Sequence, residues 1–410
     1  MITEKGWALI TVLIILFVIF ALTGAFLFLA TNARLINERY HENAMALYLA
    51  EAGIDYAIWE INYGGADFSD WTGDPAIEAT KSINNIQDAD GNIYGNANIS
   101  VYNMGQDVVT VRSTGTFSSI TGPQVSRMIQ ALLKKHKLFN YAILTSDLID
   151  VSGTANKIDS YDSSLGLYGG VNVGSEGTIV TNSTANPAIT LRGGATIDGD
   201  VVTGPGGTAT TAGGASYSGS PYANADIFMP SVVVPDNLQN ATLQSAISLA
   251  GNNTLELFSG DYRYKSITLS AKAQLILNGD VNLYCTESPS ITTEAQSQII
   301  IKNGDASIYF DGDVSISGKG VLNESGAPSD LTFYGTDSVS NINLSGIGTF
   351  YGTFYAPGAD YFYIAGNSEL FGAVVGKNVS LAGTAQIHFD EQLMQDSPTI
   401  GYDPYYWEEK

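Results

Sequence analysis

The side chains able to do chemistry in this chain are mostly carboxylates: 41 aspartates and glutamates stand beside 18 lysines and arginines, three histidines and one cysteine in 410 residues. Paired carboxylates at a fixed separation, or an Arg or Lys base near bound calcium, would suit attack on a polysaccharide if they converged on one groove. The densest acidic candidate, Asp311-Gly312-Asp313, alternates like a turn and has no His or Arg close by in the sequence. With the carbonyls of a Gly-rich turn, Asp311 and Asp313 offer the oxygen ligands that calcium prefers, so calcium is the one cofactor to test; no EF-hand loop accompanies them. His388 beside Asp390 and Glu391 could form an acid–base cluster or a metal site. On a strand, however, Ile387 and Phe389 face opposite His388, and a lone His among acids reads as a solvated edge. His41 and His136 show no ligand spacing. Cys285 is the single cysteine, which excludes an intramolecular disulfide, a Cys-based zinc site and a CxxC redox pair. Its neighbours Leu283 and Tyr284 suggest a strand, with the thiol as a small buried hydrophobe.

A formal charge of −23 repels phosphate backbones, so nucleic acid is not an expected partner. The basic stretch Lys134, Lys135, His136 and Lys137 reads as the end of a helix or strand entering solvent. Catalysis is not expected, and the elements that place the remaining chemistry become the main question.

The first such element is an apolar run from Trp7 to Ala30, uncharged and, as a helix, long enough to cross a hydrocarbon core of about 30 Å. Met1 to Gly6 precede it, and no small-residue cleavage site follows it, so the apolar segment is expected to be retained. Beyond it, Ile36, Tyr40, Ala44, Leu47, Ile54, Ala57 or Ile58, and Ile61 recur at mostly three- or four-residue spacing, which extends one amphipathic helix to about residue 61. That helix would reach on the order of 80 Å. It should stop near Gly64-Gly65.

Lys5-Gly6-Trp7-Ala8-Leu9-Ile10 resembles the leader junction of type IV prepilins, in which a short basic leader ends in Gly before the mature hydrophobic helix. The resemblance implies cleavage between Gly6 and Trp7 by a prepilin peptidase. Thr11 stands at the fifth position after that junction, where major pilins place a Glu. It cannot make the pilin ion pair with a neighbouring terminal amine. In this Thr11 resembles the PilX-type minor pilins and the K-type pseudopilins, and Ala50-Glu51-Ala52-Gly53 is similar to the Ala-Glu-Ala run of PilX-type N-terminal regions. The family implies that such subunits act in initiation or near a filament tip, sit in the bacterial inner membrane before assembly, and partner other pilins through the helix. An ordinary single-pass anchor with a juxtamembrane helix is the plainer alternative.

The rest of the chain reads as β. Ala97–Tyr102, Val108–Phe117 and Val125–Leu133 are rich in β-branched or apolar residues, the last equally compatible with helix, and the helix with about three or four strands resembles a pilin head over residues 62–137. From Leu138 on, Gly-Asp pairs at Gly199-Asp200, Gly260-Asp261, Gly279-Asp280, Gly304-Asp305 and Gly312-Asp313 punctuate short apolar runs, and strand groups from Ile267 to Ile387 return at roughly 20 residues. The fold class expected is therefore mainly β with a long N-terminal α-helix: an α+β head followed by a parallel β-solenoid over residues 138–395, with a jelly-roll sandwich as the competing arrangement. Ile158–Ser164, and Tyr355–Gly358 running through Gly372–Lys377 to His388–Glu391, also look like pieces of the extracellular region that accompanies PilX-type N-termini. Thr203–Gly219 reads as a flexible insertion, and residues 396–410 as an acidic aromatic tail, either docked or exposed. The resulting expectation is a non-enzymatic minor pilin or pilin-like subunit, single-pass with its C-terminal region exported, displaying the solenoid at the cell surface for assembly or for adhesion to a surface ligand. A membrane-tethered β-helix enzyme or carbohydrate-binding protein is the alternative.

Overall fold

The computed structural model describes residues 4–63, 68–87, 91, 93–118, 123–346 and 348–410. Its architecture is mainly β with one long N-terminal helix, in two compact units: the chain up to His136 together with Thr399–Lys410, and Lys137–Pro398. The helix end expected near Gly64-Gly65 lies outside the described residues.

In the first unit, helix α1 (Glu4–Asn62) runs for 59 residues and begins three residues before the expected junction. It contains no proline, and the hydroxyls of Thr23 and Thr31 donate to the Ile19 and Leu27 carbonyls one turn back, so these polar groups are satisfied within the helix. Burial of apolar side chains begins only near Ala46, one turn after the buried Glu42; Ile36 and Tyr40, at the start of the expected stripe, are exposed. Ala50, Ile54, Ala57 and Ile61 then pack on an antiparallel sheet of β1 (Thr72–Asp74), β2 (Glu78–Gln87), β3 (Ile93–Tyr102), β4 (Val108–Phe117) and β5 (Val125–Lys137), paired in that order. The period of two in the strands turns Ile99, Val101, Val109, Val111, Ile129, Ala131 and Leu133 toward the helix. Glycine makes the approach close: a Cβ on Gly115 would lie 2.1 Å from the Ala46 carbonyl oxygen. Val125–Leu133 is strand rather than helix, and the basic stretch Lys134 to Lys137 is the end of β5.

Residues 396–410 correct the reading of a tail. Thr399–Glu409 form an eleven-residue strand beside β5, with Tyr402 buried and Tyr405, Tyr406 and Trp407 exposed. In chain order the second unit is thus inserted between two neighbouring strands of one sheet. Asn62 secures the added strand by accepting from the Tyr402 backbone N–H and donating to its carbonyl.

The second unit is a solenoid of three parallel walls, but its rungs are not stacked in chain order. The first rung in sequence, Ile143–Tyr161, lies between later ones: Ile149 pairs with Ile189 on one side and with Val379 on the other, and Ile158 with Ile197 and Ile387. The chain builds outward from that rung to Pro221–Ala223, crosses the length of the solenoid through residues 224–242, and builds back from Leu243 until Gln386–Asp390 close on Lys157–Tyr161. Rung partners such as Ile247 and Ile267, or Ile342 and Phe362, are 20 positions apart, the spacing visible in the sequence. Inward columns of Leu, Ile, Val and Phe fill the interior, with Phe333 stacked on Phe354 at 4.6 Å between ring centroids.

Several Gly-Asp pairs join neighbouring rungs. The Asp200 carboxylate accepts the Ser220 backbone N–H at 2.7 Å, and Asp280 accepts the Asp305 N–H at 3.3 Å, so acids at these turns hold backbone donors of the next rung. Thr203–Gly219 is not an insertion; it supplies Ala209–Thr211 and Ser216–Tyr217 to the terminal rung. A terminal rung has a neighbour on one side only, so it can be built from small polar residues without the apolar alternation that marks inner rungs.

The outward side of one wall carries Tyr284, Tyr309, Tyr334 and Tyr355 in register on successive strands. The crossing segment covers this tyrosine wall: Val234 and Leu238 pack on Tyr284 and Tyr309, and the Tyr355 hydroxyl donates to the Pro230 carbonyl at 2.7 Å.

Candidate functional site

Two places in the described chain gather unusual chemistry. One is the N-terminal part of α1, where every described side chain from Leu9 to Thr31 is exposed. Sixteen large apolar residues lie between Leu9 and Leu29. At about 2 kcal/mol for each such side chain removed from water, leaving them bare costs on the order of 30 kcal/mol. Such a surface is of the kind that lipid or other apolar helices can cover. The segment is long and apolar enough to cross a membrane. Gly6 and Trp7 lie within the helical backbone, and Thr11 lies on the exposed stretch.

The other is a buried polar cluster where the two arms of the solenoid meet, and it overturns the reading of His388 and Asp390 as a solvated edge. Both are buried, as are Asp159 and Ser160 on the strand they pair with. His388 does point outward while Ile387 and Phe389 face the interior, yet Tyr168, from the loop after Tyr161, lies over its ring at 4.0 Å between centroids, with Phe371 at 4.7 Å. His388 Nδ1 makes a short contact with Asp159 Oδ1. The Tyr168 hydroxyl donates to Asp159 Oδ2 at 2.7 Å, and Lys157 Nζ lies 2.6 Å from the same oxygen. His388 Nε2 lies 3.4 Å from Glu369 Oε1 and makes no hydrogen bond.

Burial alone would raise the Asp159 pKa, but hydrogen bonds from His388, Lys157 and Tyr168 outweigh it and hold the carboxyl below its ordinary range. Burial likewise disfavours the Lys157 ammonium, yet its bonds to Asp159 and Tyr168 prevail and push its pKa up to about 12. Asp390 behaves oppositely: burial raises it even though it accepts the Ser163 and Gln392 backbone N–H groups. The Ser160 hydroxyl donates to Glu391 and accepts the Glu176 N–H. The polar atoms of this cluster tie the strand Gln386–Asp390 to the strand Lys157–Tyr161 and to its following loop. The arrangement is that of a joint. The acids beside His388 in the sequence could not reveal it, because Asp159, Lys157 and Tyr168 lie more than 200 positions away.

Asp311 and Asp313 are engaged by neighbouring rungs. Asp311 accepts the Tyr284 hydroxyl at 2.5 Å and the Thr336 hydroxyl at 2.9 Å, while Asp313 accepts the Ser340 and Asn341 backbone N–H groups at 3.2 and 2.8 Å. Among the described residues no group of three or more His, Cys, Asp or Glu could hold a metal ion. Cys285 is buried, and its burial pushes the thiol pKa up, away from reactivity. His136 makes a 2.5 Å contact with Asp403 of the C-terminal strand, and His41 sets its ring edge against Phe117.

Residues 229–396 match the model of DUF7305, a domain of unknown function. No curated protein matches the chain. Among solved structures the chain is similar to the competence-associated pilin ComZ from Thermus thermophilus, at 13% identity and a TM-score of 0.26, over 90% of this chain and 97% of that one. It is also similar to LeIBP, an ice-binding protein from an Arctic yeast, at 15% identity and a TM-score of 0.28, over 62% of this chain and 93% of the other.

Proposed function

We propose that this chain is a non-enzymatic, pilin-like subunit of the type IV pilus class, held in the bacterial inner membrane by α1 and displayed at the cell surface after assembly. The observation that carries the reading is the division of α1: its C-terminal part packs on its own sheet, while the N-terminal part presents an uncovered apolar surface. A helix of that kind can exchange lipid for the helices of neighbouring subunits, because both bury the same apolar area. Prepilin peptidase would cut between Gly6 and Trp7. With Thr11 where a shaft subunit carries Glu, the chain would occupy a low-copy position, acting in assembly and in presentation of the solenoid. The absence of a catalytic role is part of the proposal: the polar cluster around His388 is spent on joining strands and is covered by Tyr168 and Phe371.

Mass spectrometry of the native N-terminus tests this. Chains in sheared surface filaments are expected to begin at Trp7. Chains found only in membranes and still beginning at Met1 would leave a tethered β-rich ectodomain and remove the filament role.

A further inference from the structure

We infer that the third solenoid wall is a docking face for a neutral, extended polysaccharide. This wall has ten parallel strands, running in space from Ala209–Thr211 through Ile149–Gly153 and Tyr361–Ala365 to Ile247–Leu249. Its interior side is apolar like the others, with Phe362 among aliphatic residues. Its outward side differs in charge, chemistry and cover.

The charge is nearly absent. On a chain of net charge −23, the ten strands carry two charged residues, Asp150 and Arg192, and these face each other at 3.4 Å. A neutral strip on an otherwise acidic protein fits an uncharged partner. An anionic polymer would meet the long-range repulsion of the whole molecule, and the one cation on these strands, Arg192, is already paired with Asp150.

The chemistry is that of hydroxyls and amides arranged in register. Ser315 pairs with Asn343, Asn343 with Tyr363, and Tyr363 with Ser380, and the same outward column continues in both directions with Thr, Ser and one Asp. Successive strands are about 4.8 Å apart, so the donors and acceptors repeat along a straight line of about 40 Å. A ligand that repeats along one axis can meet several of them at once.

Near the middle stand two tyrosines, Tyr361 at 65% and Tyr363 at 40% exposure, on one strand and one face. Their rings rise above small neighbours such as Ser345 and Ala365. A ring face combined with adjacent carboxamides and hydroxyls suits a sugar, whose C–H groups can lie on the ring while its hydroxyls bond to the sides. The tyrosine wall is covered by residues 224–242, and part of the remaining wall by the loop carrying Tyr168, whereas Tyr361, Tyr363, Asn343, Ser315 and Thr268 are all exposed. Display on a filament would bring this wall to such a polymer, but binding by single molecules does not depend on assembly.

The test uses full-length protein solubilised in a polyoxyethylene detergent, which has no sugar headgroup to compete. Its retardation is measured by affinity electrophoresis in gels containing a β-glucan, an α-glucan or a galactomannan, with alginate as the anionic control. Retardation by at least one neutral polymer is expected, with affinity reduced at least tenfold in the Tyr361→Ala, Tyr363→Ala double variant and in Ser315→Lys, and unchanged in Phe258→Ala on another wall. Thermal melting confirms that each variant is folded, and Ser315→Lys decides the matter if the tyrosine variant is not. No retardation by any neutral polymer, equal retardation by alginate, or wild-type binding by the folded variants would overturn the assignment. Because the assay reads solubilised monomers, its failure is separable from failure to enter filaments.

Discussion

The tyrosine wall and the hydroxyl wall belong to the same rungs and share the same interior, yet one is roofed by the protein's own chain and the other is open. The inward positions must fill a common column, so they are aliphatic or aromatic on every wall, whereas outward positions are free to vary with what lies over them. Where a segment crosses, stacked tyrosines with a hydroxyl aimed at a backbone carbonyl appear; where none crosses, hydroxyls and amides do. The wall beside His388 is intermediate, with a polar joint under a short loop. Outward chemistry therefore reports cover, and substitutions there should cost stability in proportion to it.

The largest effect is expected at the joint. Asp159→Asn removes the charge facing both His388 and Lys157 in a buried setting and should destabilise the solenoid by about 3–5 kcal/mol at neutral pH, read from denaturant unfolding. The sign of its pH dependence follows from a depressed carboxylate. The stabilisation is present above the unfolded value of about 3.9 and is lost as pH falls through the lower folded value, so variant and parent should converge in acid. A gap that stays constant to the lowest pH would show that the loss is one of packing and not of charge. A smaller effect belongs to the tyrosine wall: Tyr355→Phe deletes the bond to the Pro230 carbonyl and should cost about 1 kcal/mol, with the crossing segment becoming more sensitive to protease. The smallest belongs to the open wall, where Ser315→Ala should change stability by less than about 0.5 kcal/mol. A loss as large as that of Tyr355→Phe would mean that the open wall is covered after all, and the contrast would fail.

Much of the fold can be read from the residues because its signals are local. The uncharged run from Trp7 to Ala30 announces a membrane-length helix, and the Gly-Asp turns with their 20-residue return announce rungs, since both depend on neighbours within one or two turns of chain. The terminal rung at Thr203–Gly219 is silent because it lacks the inner alternation. The strand Thr399–Glu409 is silent for another reason: an acidic, aromatic segment becomes a strand only when a distant sheet edge is there to receive it. The joint at His388 fails on both counts. Its side chains are those of a surface, and what buries them is a loop more than 200 residues earlier in the chain.

The crossing segment also works as a ruler. Residues 224–242 connect strands ten steps apart in one sheet, a span of about 48 Å, and a largely extended stretch of that length with one five-residue helix reaches roughly 57 Å. The slack amounts to about one or two rungs. Ordinary solenoids lengthen by duplicating a repeat at an end or in the middle, but here any gain in either arm must be matched by added residues in a segment that belongs to neither. Molecules of this design should therefore vary in rung chemistry far more readily than in rung number.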